Sequence, residues 1–515
     1  MKKMNGAEAN LKKIIDSAEE AQSVKSKIFV QISHCSVSVG AYSLYQELKQ
    51  KLSNSVEVVA SGCDGACFAA PRSILKVNGA YDVSDHYMKI ADKFDPLYQS
   101  TSELRTFFTH QTRAVMEDIG TVEVDHIGDY LLTDGFQGLS NAFQVSSGEV
   151  VEIVEKSGLR GRGGAYFPVS SKWSAARSFP GEKVLVINAE EGEPGVFKDR
   201  HLMEGAPFRV LEGALIAAYA VSANQVFVYV NAEANLSYQR LENAIKMCKQ
   251  NHLLGEDILG TGIDINVEIL RGAGGYVCGE ESTLINTMEG TRREPRLKPP
   301  FPTESGYLGQ PTVVNNVETV STLPYILKNG AEKFNKIGDP NYPGTKIISL
   351  SGNVKRAGAI EVPMGTTLDY VVNGIGGGPK DKTVVAVAVG GPSSGILPAN
   401  KMEGSIISPG LIDEDAVMIG AGGVIALGED TNVLQEVYRL SEYNASESCG
   451  KCTPCREGTP RMKEMVQKLS FKSDDDDLWN KLEELAQTVN AASLCGLGQA
   501  AGNPVLSFIK HFKEQ

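Results

Sequence analysis

Residues 183–195 read KVLVINAEEGEPG, a short β-branched run that leads directly into three glutamates and two glycines. Such a run is typical of a buried strand in a parallel sheet, and QVFVYV at residues 225–230 repeats the pattern. Polar side chains that follow such a strand lie at the carboxyl edge of the sheet, where α/β folds bind their ligands. The stretch therefore predicts an α/β domain with a ligand site beside Asn188, Glu190, Glu191 and Glu193.

Further glycine-rich and charged stretches lie on either side of this strand. Residues 158–168 (GLRGRGGAYFP) carry four glycines within seven residues, with Arg160 and Arg162 between them. A backbone without side chains can come close to a phosphate or a flat ring, although a plain flexible loop would have the same composition. Residues 272–281 (GAGGYVCGEE), 296–302 (RLKPPFP) and 314–318 (VNNVE) follow. Each stretch is a weak signal alone, and together they indicate one binding site.

The composition of the chain sets the class of protein. Its 515 residues are 42% hydrophobic and 22% charged, with a net charge of −13. At roughly 100–200 residues per domain, this length predicts about three to five globular domains. The acidic balance argues against nucleic-acid binding, which depends on clustered Lys and Arg. No apolar run reaches ~18 residues and no secretory signal is evident, so we expect a cytoplasmic chain, either free or peripheral on a membrane complex, without membrane insertion.

Five of the nine cysteines lie in two close groups, Cys63 with Cys67 and Cys449 with Cys452 and Cys455, which indicates metal or redox chemistry and not disulfides. Cys449, Cys452 and Cys455 are spaced C-x2-C-x2-C, which suits three corners of a [4Fe–4S] cluster, and Cys495 is the candidate fourth ligand. A structural zinc site, which more often uses separated ligand pairs, and unligated thiols remain alternatives. Cys248 has no evident role, and Cys278 is expected to pack as a small apolar group.

With these motifs in this order, the chain resembles the NADH-oxidising flavoprotein subunit of respiratory complex I. It is still more similar to the related subunits of NAD-linked hydrogenases, formate dehydrogenases and electron-bifurcating enzymes. The resemblance implies an α/β multidomain fold with a thioredoxin-like domain, a Rossmann-like FMN domain, a ubiquitin-like β module and a helical bundle. The implied divisions are an N-terminal helix (1–26), a thioredoxin-like domain with a degenerate [2Fe–2S] site (27–94), a helical connector (95–150), an FMN/NADH-binding domain (151–335), a β-grasp-like module of the soluble-ligand-binding type (336–430) and a helical [4Fe–4S] domain (431–515).

The resemblance also implies roles for individual residues. Those expected to contact FMN are Gly161, Arg162, Gly163, Gly164, Lys172, Asn188, Glu190, Glu191, Gly279, Glu280, Asn315 and Asn316. Those expected to contact NADH are Phe167, Glu193, Glu281, Lys298 and Phe301. Lys298 and Phe301 could instead be a surface charge and a core ring. No side chain is expected to act as a catalytic acid or base, because the bound FMN performs the hydride transfer.

The chain departs from the family pattern in its flavin motifs. Tyr166 stands where the family's Gly-Gly-Ala-Gly-Phe-Pro run has its last glycine, so its ring could point away from the site, reshape it or obstruct it. Val169, Ser170 and Ser171 replace the usual Thr-Gly pair, and Glu190 replaces the usual Asp.

The N-terminal domain departs as well. Cys35, Cys63 and Cys67 fit three of the four positions of a [2Fe–2S] site, but the first position is Val30. His34 could substitute, because imidazole can ligate iron. The alternative is a domain that has lost its cluster and is kept for docking.

We therefore expect an NAD(H)-linked subunit of a multisubunit oxidoreductase, which passes hydride between NADH and FMN and single electrons on through iron–sulfur clusters. Its cofactors would be FMN, NAD(H) and a [4Fe–4S] cluster, with a [2Fe–2S] cluster as an open case. Its partners would be further iron–sulfur or flavin subunits. Two alternatives remain: an electron-relay or scaffold subunit whose nucleotide site is blocked by Tyr166, and the NAD-site subunit of an electron-bifurcating or transhydrogenase complex.

Overall fold

The computed structural model describes residues 4–21, 26–52, 56–77, 80–82, 101–391, 394–413, 417–471 and 474–514. Helix α1 (Met4–Ala21) begins the described chain. Its apolar side packs on the distant α/β domain, where Ala7 and Leu11 are buried in the core. Asn10 also donates a hydrogen bond from Nδ2 to the carbonyl of Leu259 (3.0 Å). The N-terminal helix is therefore part of the α/β domain's packing.

A small mixed sheet follows the helix. Its elements are β1 (Ser26–Gln31), α2 (His34–Ser38), α3 (Ala41–Leu52), β2 (Glu57–Ser61), β3 (Ser73–Val77) and β4 (Ala80–Asp82). The strand order is β2-β1-β3-β4, with β1 parallel to β2 and antiparallel to β3. Val30 of β1 is fully buried in an apolar cluster with Leu44 and Leu48 of α3. The expected end of this domain, near residue 94, and residues 95–100 lie outside the described residues.

A connector with three short helices links this sheet to the rest of the chain. The helices are α4 (Thr101–Thr109), α5 (Gly128–Leu132) and α6 (Gln137–Ala142). Between α4 and α5, the fully buried carboxylate of Glu361 accepts hydrogen bonds from the N–H groups of Ala114, Val115 and Met116 at 2.9–3.1 Å. Because Glu361 belongs to the later β module, this contact fixes the connector against that module.

The α/β domain has a four-stranded sheet in which every strand is parallel to its neighbours, in the order β7-β6-β5-β8. Its elements are α7 (Ser147–Ser157), α8 (Val169–Ser178), β5 (Lys183–Ala189), α9 (Lys198–Gly205), α10 (Pro207–Val221), β6 (Ala223–Val230), α11 (Asn235–Gln250), β7 (Asn266–Arg271), α12 (Glu281–Met288), β8 (Thr312–Asn316), α13 (Val317–Asn329) and α14 (Ala331–Asn335). The chain moves outward from β5 to β7 and then returns to place β8 on the other side of β5. This reversal opens a crevice at the carboxyl ends of β5 and β8.

The following module is built on a five-stranded sheet. The strands of this region are β9 (Gly338–Asp339), β10 (Tyr342–Pro343), β11 (Thr345–Gly352), β12 (Gly358–Pro363), β13 (Val384–Val389), β14 (Gly395–Pro398), β15 (Leu411–Asp413), β16 (Val417–Met418) and β17 (Gly423–Gly428). The sheet order is β12-β11-β17-β13-β14, and β11 and β17 are parallel. A π-helical turn, Tyr370–Ile375, packs Val371, Val372 and Ile375 into its core. This order, with the first and last strands parallel at the centre, is a β-grasp arrangement, and we call the region the β-grasp module.

The chain ends in a helical bundle. Its helices are α15 (Val433–Glu447), α16 (Thr453–Phe471), α17 (Asp476–Ala492), α18 (Gly496–Ala500) and α19 (Asn503–Phe512). Trp479 and Leu482 of α17 share an apolar core with Ala386 and Ile396 of the β-grasp sheet, so the bundle packs on that sheet. Within the described residues, no helix combines the length and the apolar character needed to cross a bilayer.

Candidate functional site

The site lies where β5 and β8 end. Asn188 lies near the carboxyl end of β5, and Asn315 and Asn316 end β8. The glycine-rich loop 158–168 covers this edge and is closed by a hydrogen bond from Gly161 N–H to the Phe167 carbonyl (2.9 Å). A Cβ on Gly163 would lie 3.1 Å from Cβ of Asn316. Glycine therefore allows the loop to approach the sheet edge closely.

Two connected cavities fill the crevice, and we call them the larger and the smaller cavity. Their volumes are about 660 Å³ and about 230 Å³. Among the residues singled out in the sequence, the larger cavity is lined by Gly161, Gly163, Phe167, Lys172, Asn188, Gly279, Glu280, Glu281, Lys298, Phe301, Asn315 and Asn316. The smaller cavity shares five of these and adds Glu190, Glu191 and Glu193. The structure thus brings together residues from five separate stretches of sequence.

Arg162 and Gly164 line neither cavity, and their expected contact with the flavin stays a prediction. The buried guanidinium of Arg162 donates to the carbonyls of Thr345 (2.9 Å) and Pro343 (2.9 Å). Its charge therefore anchors the glycine-rich loop to the β-grasp module. Gly164 has a φ of +125°, and its Cβ position lies 3.4 Å from the carbonyl carbon of Gly420 in the same module.

A chain of ion pairs borders the larger cavity. Lys172 Nζ lies 3.0 Å from Glu281 Oε2, and Lys298 Nζ lies 2.9 Å from Glu281 Oε1 and 3.1 Å from Glu280 Oε1. Burial acts to raise the pKa of Glu281, but the two lysines together lower that pKa to about 2. Two ammonium groups are therefore held at a cavity wall, where phosphate oxygens can bind them.

Two aromatic rings are exposed at the same cavity. Phe167 and Phe301 line it, yet 54% and 55% of their surfaces face solvent. Large apolar side chains this exposed are informative when they border a pocket. Each ring offers a face on which a flat heterocycle can stack.

Glu190 provides an acceptor without a partner in the smaller cavity. Asn231 Nδ2 donates to Glu190 Oε1 at 2.6 Å, while Glu190 Oε2 is buried and has no hydrogen-bond partner among the described residues. Burial raises the pKa of this carboxyl to about 7, although the bond from Asn231 opposes the shift. A buried polar atom left unpaired calls for a partner beyond the described residues, either a ligand or a bound water.

Glu191 lines the same cavity but its carboxylate is already engaged. It accepts hydrogen bonds from the N–H groups of Asp199 (2.7 Å) and Arg200 (3.0 Å), in the first turn of α9. A carboxylate at a helix N-terminus satisfies donors that lack partners within the helix. The structure therefore gives Glu191 a capping role besides its place in the cavity wall.

Tyr166 points mainly away from the cavities. It is 4% exposed and belongs to the apolar core of the β-grasp module, with part of its surface at the larger cavity. Its hydroxyl donates to the Gly420 carbonyl (3.2 Å). Its backbone has a φ of +51°, a left-handed conformation that favours glycine. The position thus keeps the backbone shape of a glycine while the ring is buried in the neighbouring module.

Sequence reasoning missed residues that join the cavities to the helical bundle. Tyr276 N–H donates to Glu447 Oε2 of α15 (2.8 Å), and Tyr443 of the same helix donates from its hydroxyl to the Gly192 carbonyl (2.8 Å). Tyr276 lines the smaller cavity, and Thr319 lines the larger one. Tyr276 lies within the 272–281 stretch and could have been noticed there, whereas no local motif marks Thr319.

The four C-terminal cysteines gather beside the smaller cavity. Cys449, Cys452, Cys455 and Cys495 pack around Val277 and Leu497, two residues that also line that cavity. The thiol of Cys452 accepts a hydrogen bond from Leu494 N–H (3.5 Å), and Ser448 Oγ lies 3.2 Å from Cys455 Sγ. Four thiols with nearby donors in a partly apolar nest fit a [4Fe–4S] cluster.

The N-terminal thiols, Cys35, Cys63 and Cys67, also come together. The thiol of Cys67 lies within hydrogen-bond reach of the other two. The fourth family position, Val30, is buried within the strand core, and His34 Nδ1 lies 3.1 Å from both carboxylate oxygens of Glu204. The residues present therefore do not fit an all-cysteine [2Fe–2S] cluster.

The two remaining cysteines have apolar surroundings. Cys278 is fully buried against Val184 and Leu284, and burial raises the pKa of its thiol to about 11. Cys248 is fully buried in the main core of the α/β domain. Their placement agrees with packing roles.

Three family models match the chain. They are the Nuo51 FMN-binding domain at residues 154–325, the SLBB domain at 347–397 and the NADH-ubiquinone oxidoreductase-F iron–sulfur binding region at 435–515. These matches cover the α/β domain, part of the β-grasp module and the helical bundle.

Curated and solved relatives agree with these matches. The NADP-reducing hydrogenase subunit HndC of Solidesulfovibrio fructosivorans is 41% identical over 408 residues, which cover 79% of this chain and 83% of the relative. An NADH-quinone oxidoreductase subunit of Aquifex aeolicus is 38% identical over 396 residues, covering 76% and 91%. A crystal structure of NAD⁺-reducing [NiFe]-hydrogenase in the H2-reduced state superposes with a TM-score of 0.69 at 30% identity, covering 95% of this chain and 83% of that chain.

Proposed function

The chain belongs to the family of FMN and iron–sulfur subunits that includes the Aquifex aeolicus NADH-quinone oxidoreductase relative, and we propose residue roles for its NADH-dependent reaction. The protein is an NADH-oxidising flavoprotein subunit of a multisubunit oxidoreductase, of the complex I and NAD-linked hydrogenase type. The residue assignments, the direction of electron flow and the identity of the partners belong to the proposal.

The crevice residues suit FMN. When bound, FMN accepts a hydride and releases the two electrons singly, and a [4Fe–4S] cluster carries one electron at a time. Gly163 leaves space for a close backbone approach beside Asn316, and Glu190 Oε2 offers an unpaired acceptor. Lys172 Nζ, held by Glu281, is placed to bind a phosphate. These side chains bind and orient the flavin.

The exposed rim suits the nicotinamide nucleotide. Phe167 and Phe301 offer stacking faces, Lys298 offers a charge for phosphate and Glu281 can accept from ribose hydroxyls. Glu281 is ionised throughout the physiological range, because its pKa is lowered to about 2. It can therefore accept hydrogen bonds but not donate them.

The observation that carries the proposal is the shared wall between the smaller cavity and the cluster nest. Val277 and Leu497 belong to both, and the N–H of Tyr276 is tied to α15 through Glu447. Cys449, Cys452, Cys455 and Cys495 would hold the [4Fe–4S] cluster. Electrons that leave the flavin cavity in this direction would enter the helical bundle and then a partner iron–sulfur or flavin subunit.

The sheet order of residues 26–82 supports a thioredoxin-like N-terminal domain. We propose that it docks without a [2Fe–2S] cluster, because Val30 replaces one of the four cysteines. The blocked-site alternative is disfavoured by the burial of the Tyr166 ring in the β-grasp module. A role in a bifurcating or transhydrogenase complex remains the second candidate, since one relative is an NADP-reducing hydrogenase subunit.

Anaerobic titration of the purified full chain tests the proposal. We expect bound FMN that is bleached by NADH, and a parallel titration with NADPH identifies the preferred nucleotide. Phe301→Ala should weaken nucleotide binding about twofold to thirteenfold, since an aromatic stacking pair contributes about 0.5–1.5 kcal/mol. Leu297→Ala is the matched control, because Leu297 is a neighbouring side chain with 69% exposure that lines neither cavity. A flavin-free chain, or bound FMN that neither nucleotide bleaches, would contradict the proposal.

A further inference from the structure

A buried charge network lies behind the cavity wall, with Glu318 at its centre. Glu318 Oε2 accepts from Lys346 Nζ (2.5 Å) and Lys198 Nζ (3.0 Å), and Glu318 Oε1 accepts from Ile347 N–H (2.8 Å). Lys198 and Lys346 are 0% exposed, and Glu318 is 1% exposed. A charge buried to this extent is costly unless it is paired and hydrogen-bonded. Each of these groups therefore depends on the others for its charge.

The network reaches the cavities through Asp199. Lys198 Nζ lies 2.8 Å from Asp199 Oδ1, and Asp199 Oδ2 accepts from Asn316 Nδ2 at 2.7 Å. Asp199 lines the smaller cavity and Asn316 lines both cavities. A continuous chain of hydrogen bonds thus runs from Lys346 to the cavity wall.

The members of this network come from two domains. Lys198, Asp199 and Glu318 belong to the α/β domain, and Lys346 lies on β11 of the β-grasp module. The α/β domain alone supplies one cation and two carboxylates, so the module's lysine balances the charge of these four groups. Arg162 and Glu191 lie alongside this network, and burial raises the pKa of Glu191 to about 7.

We propose that Lys346 is a positioning residue for the flavin reaction. The β-grasp module supplies its ammonium group, which neutralises Glu318, keeps Asp199 bonded to Asn316 and sets how readily electrons reside on FMN bound at that wall. This role rests on the proposed flavin site. It also gives the module a function in the redox reaction that does not require the module to bind a ligand of its own.

The charge states of the network fix the conditions of the test. Burial lowers the pKa of Lys346 to about 7, against the attraction of Glu318. Burial acts to raise the pKa of Glu318, but Lys346 and Lys198 hold it below its usual range. Experiments at pH 6 therefore compare variants with a wild-type protein in which both groups are charged.

The test is the midpoint potential of bound FMN in the full chain, titrated with dithionite and mediators at pH 6. Lys346→Met leaves an extra negative charge and should lower the potential. Glu318→Gln removes the carboxylate on which the charge of Lys346 depends, so both charges are lost together and the potential should stay close to that of the wild type. The double variant Lys346→Met/Glu318→Gln has no unbalanced charge, so its midpoint potential should be close to that of the wild type. Lys355→Met is the control, because it removes an exposed lysine of the same module whose field is screened by solvent.

Each outcome decides the question. A lower potential in Lys346→Met that is absent from Glu318→Gln and from the double variant supports the electrostatic role. Equal-sign shifts in the two single variants, or a double variant further from the wild type than either, would show only loosened packing and overturn the proposal, as would no shift in Lys346→Met. If Lys346→Met does not fold, Lys346→Gln removes the same charge with a polar side chain and gives the comparison. The chemical reductant makes the result independent of NADH, so failure of NADH to bleach the wild type would count only against the proposed function.

Discussion

Replacing Tyr166 with glycine tests whether its ring obstructs the nucleotide site or anchors the glycine-rich loop. The ring is buried in the β-grasp core, and its hydroxyl donates to the Gly420 carbonyl at 3.2 Å. Removing a buried aromatic side chain costs about 3–5 kcal/mol. Glycine would also relieve the left-handed backbone at φ +51°, which contributes about 1–2 kcal/mol in the opposite direction. We expect a net loss of roughly 1–4 kcal/mol in the stability of the loop–module contact.

The effect on the reaction should follow from this loss of anchoring. A glycine at position 166 leaves the loop less tightly held, so FMN should bind more weakly and the rate of NADH oxidation per bound FMN should not rise. Urea-induced release of FMN, followed by the gain in flavin fluorescence, measures the stability. Stopped-flow bleaching of bound FMN by NADH measures the rate.

A conservative variant separates the ring from the hydroxyl. Tyr166→Phe keeps the ring and loses one hydrogen bond, so it should be destabilised by about 1 kcal/mol with an unchanged bleaching rate. Bleaching several-fold faster in Tyr166→Gly, with Tyr166→Phe like the wild type, would refute the reasoning and show that the ring obstructs the site.

Further predictions concern the metal content and the carboxylates. Iron analysis of the purified chain should give about four irons per chain. Replacing all three N-terminal cysteines with serine should leave this value unchanged, while Cys455→Ser should lower it. A value of about six irons in the wild type would contradict the argument that the N-terminal domain lacks one ligand. Burial raises the folded-state pKa of Glu190 to about 7, so its effect on stability is most favourable below about pH 4.5 and is lost as the pH rises through about 7. We therefore expect the free energy of unfolding of flavin-free Glu190→Gln, relative to that of the wild type, to be higher at pH 8 than at pH 5 in urea unfolding. The same variant–wild-type difference at both pH values would exclude a buried, titrating carboxyl. Glu281→Gln should weaken NADH binding by about 1–2 kcal/mol, because it replaces the ionised acceptor proposed for the ribose hydroxyls with a neutral one. Since the pKa of Glu281 is about 2, this loss should be constant between pH 5 and pH 8 in equilibrium titrations.

The sequence predicts those parts of the structure that depend on local pattern. The run KVLVIN lies within β5, and QVFVYV lies within β6. The polar residues at the carboxyl ends of β5 and β8 lie where the strand order reverses, and parallel α/β sheets bind their ligands at such a reversal. Periodicity and turn composition are properties of neighbouring residues, so they can be recognised in one sequence.

The direction of individual side chains depends on distant residues. Arg162 lies in a glycine-rich motif, but its guanidinium is bonded to the carbonyls of Pro343 and Thr345, more than 180 residues away in the chain. Nothing near Lys346 indicates that it is fully buried and paired with Glu318. Only the packing of the β-grasp module on the α/β domain brings these groups together.

Helix α9 provides a physical reason for the N-terminal domain to remain packed in place with one cysteine missing. In its last turn, the fully buried Glu204 accepts a hydrogen bond from the His34 N–H (3.0 Å). Gly62 approaches Gly205 so closely that a Cβ on Gly62 would lie 2.1 Å from Gly205 Cα. Removing the domain would expose the Glu204 carboxylate and the Gly205 backbone at the C-terminal end of α9. The N-terminal end of the same helix borders the smaller cavity through Asp199. Val30, at the position where the resemblance leads us to expect a first cysteine ligand, takes no part in these contacts. Because this interface is formed by the backbone beside the thiols and not by the thiols themselves, we expect the domain to stay docked whether or not it binds a cluster.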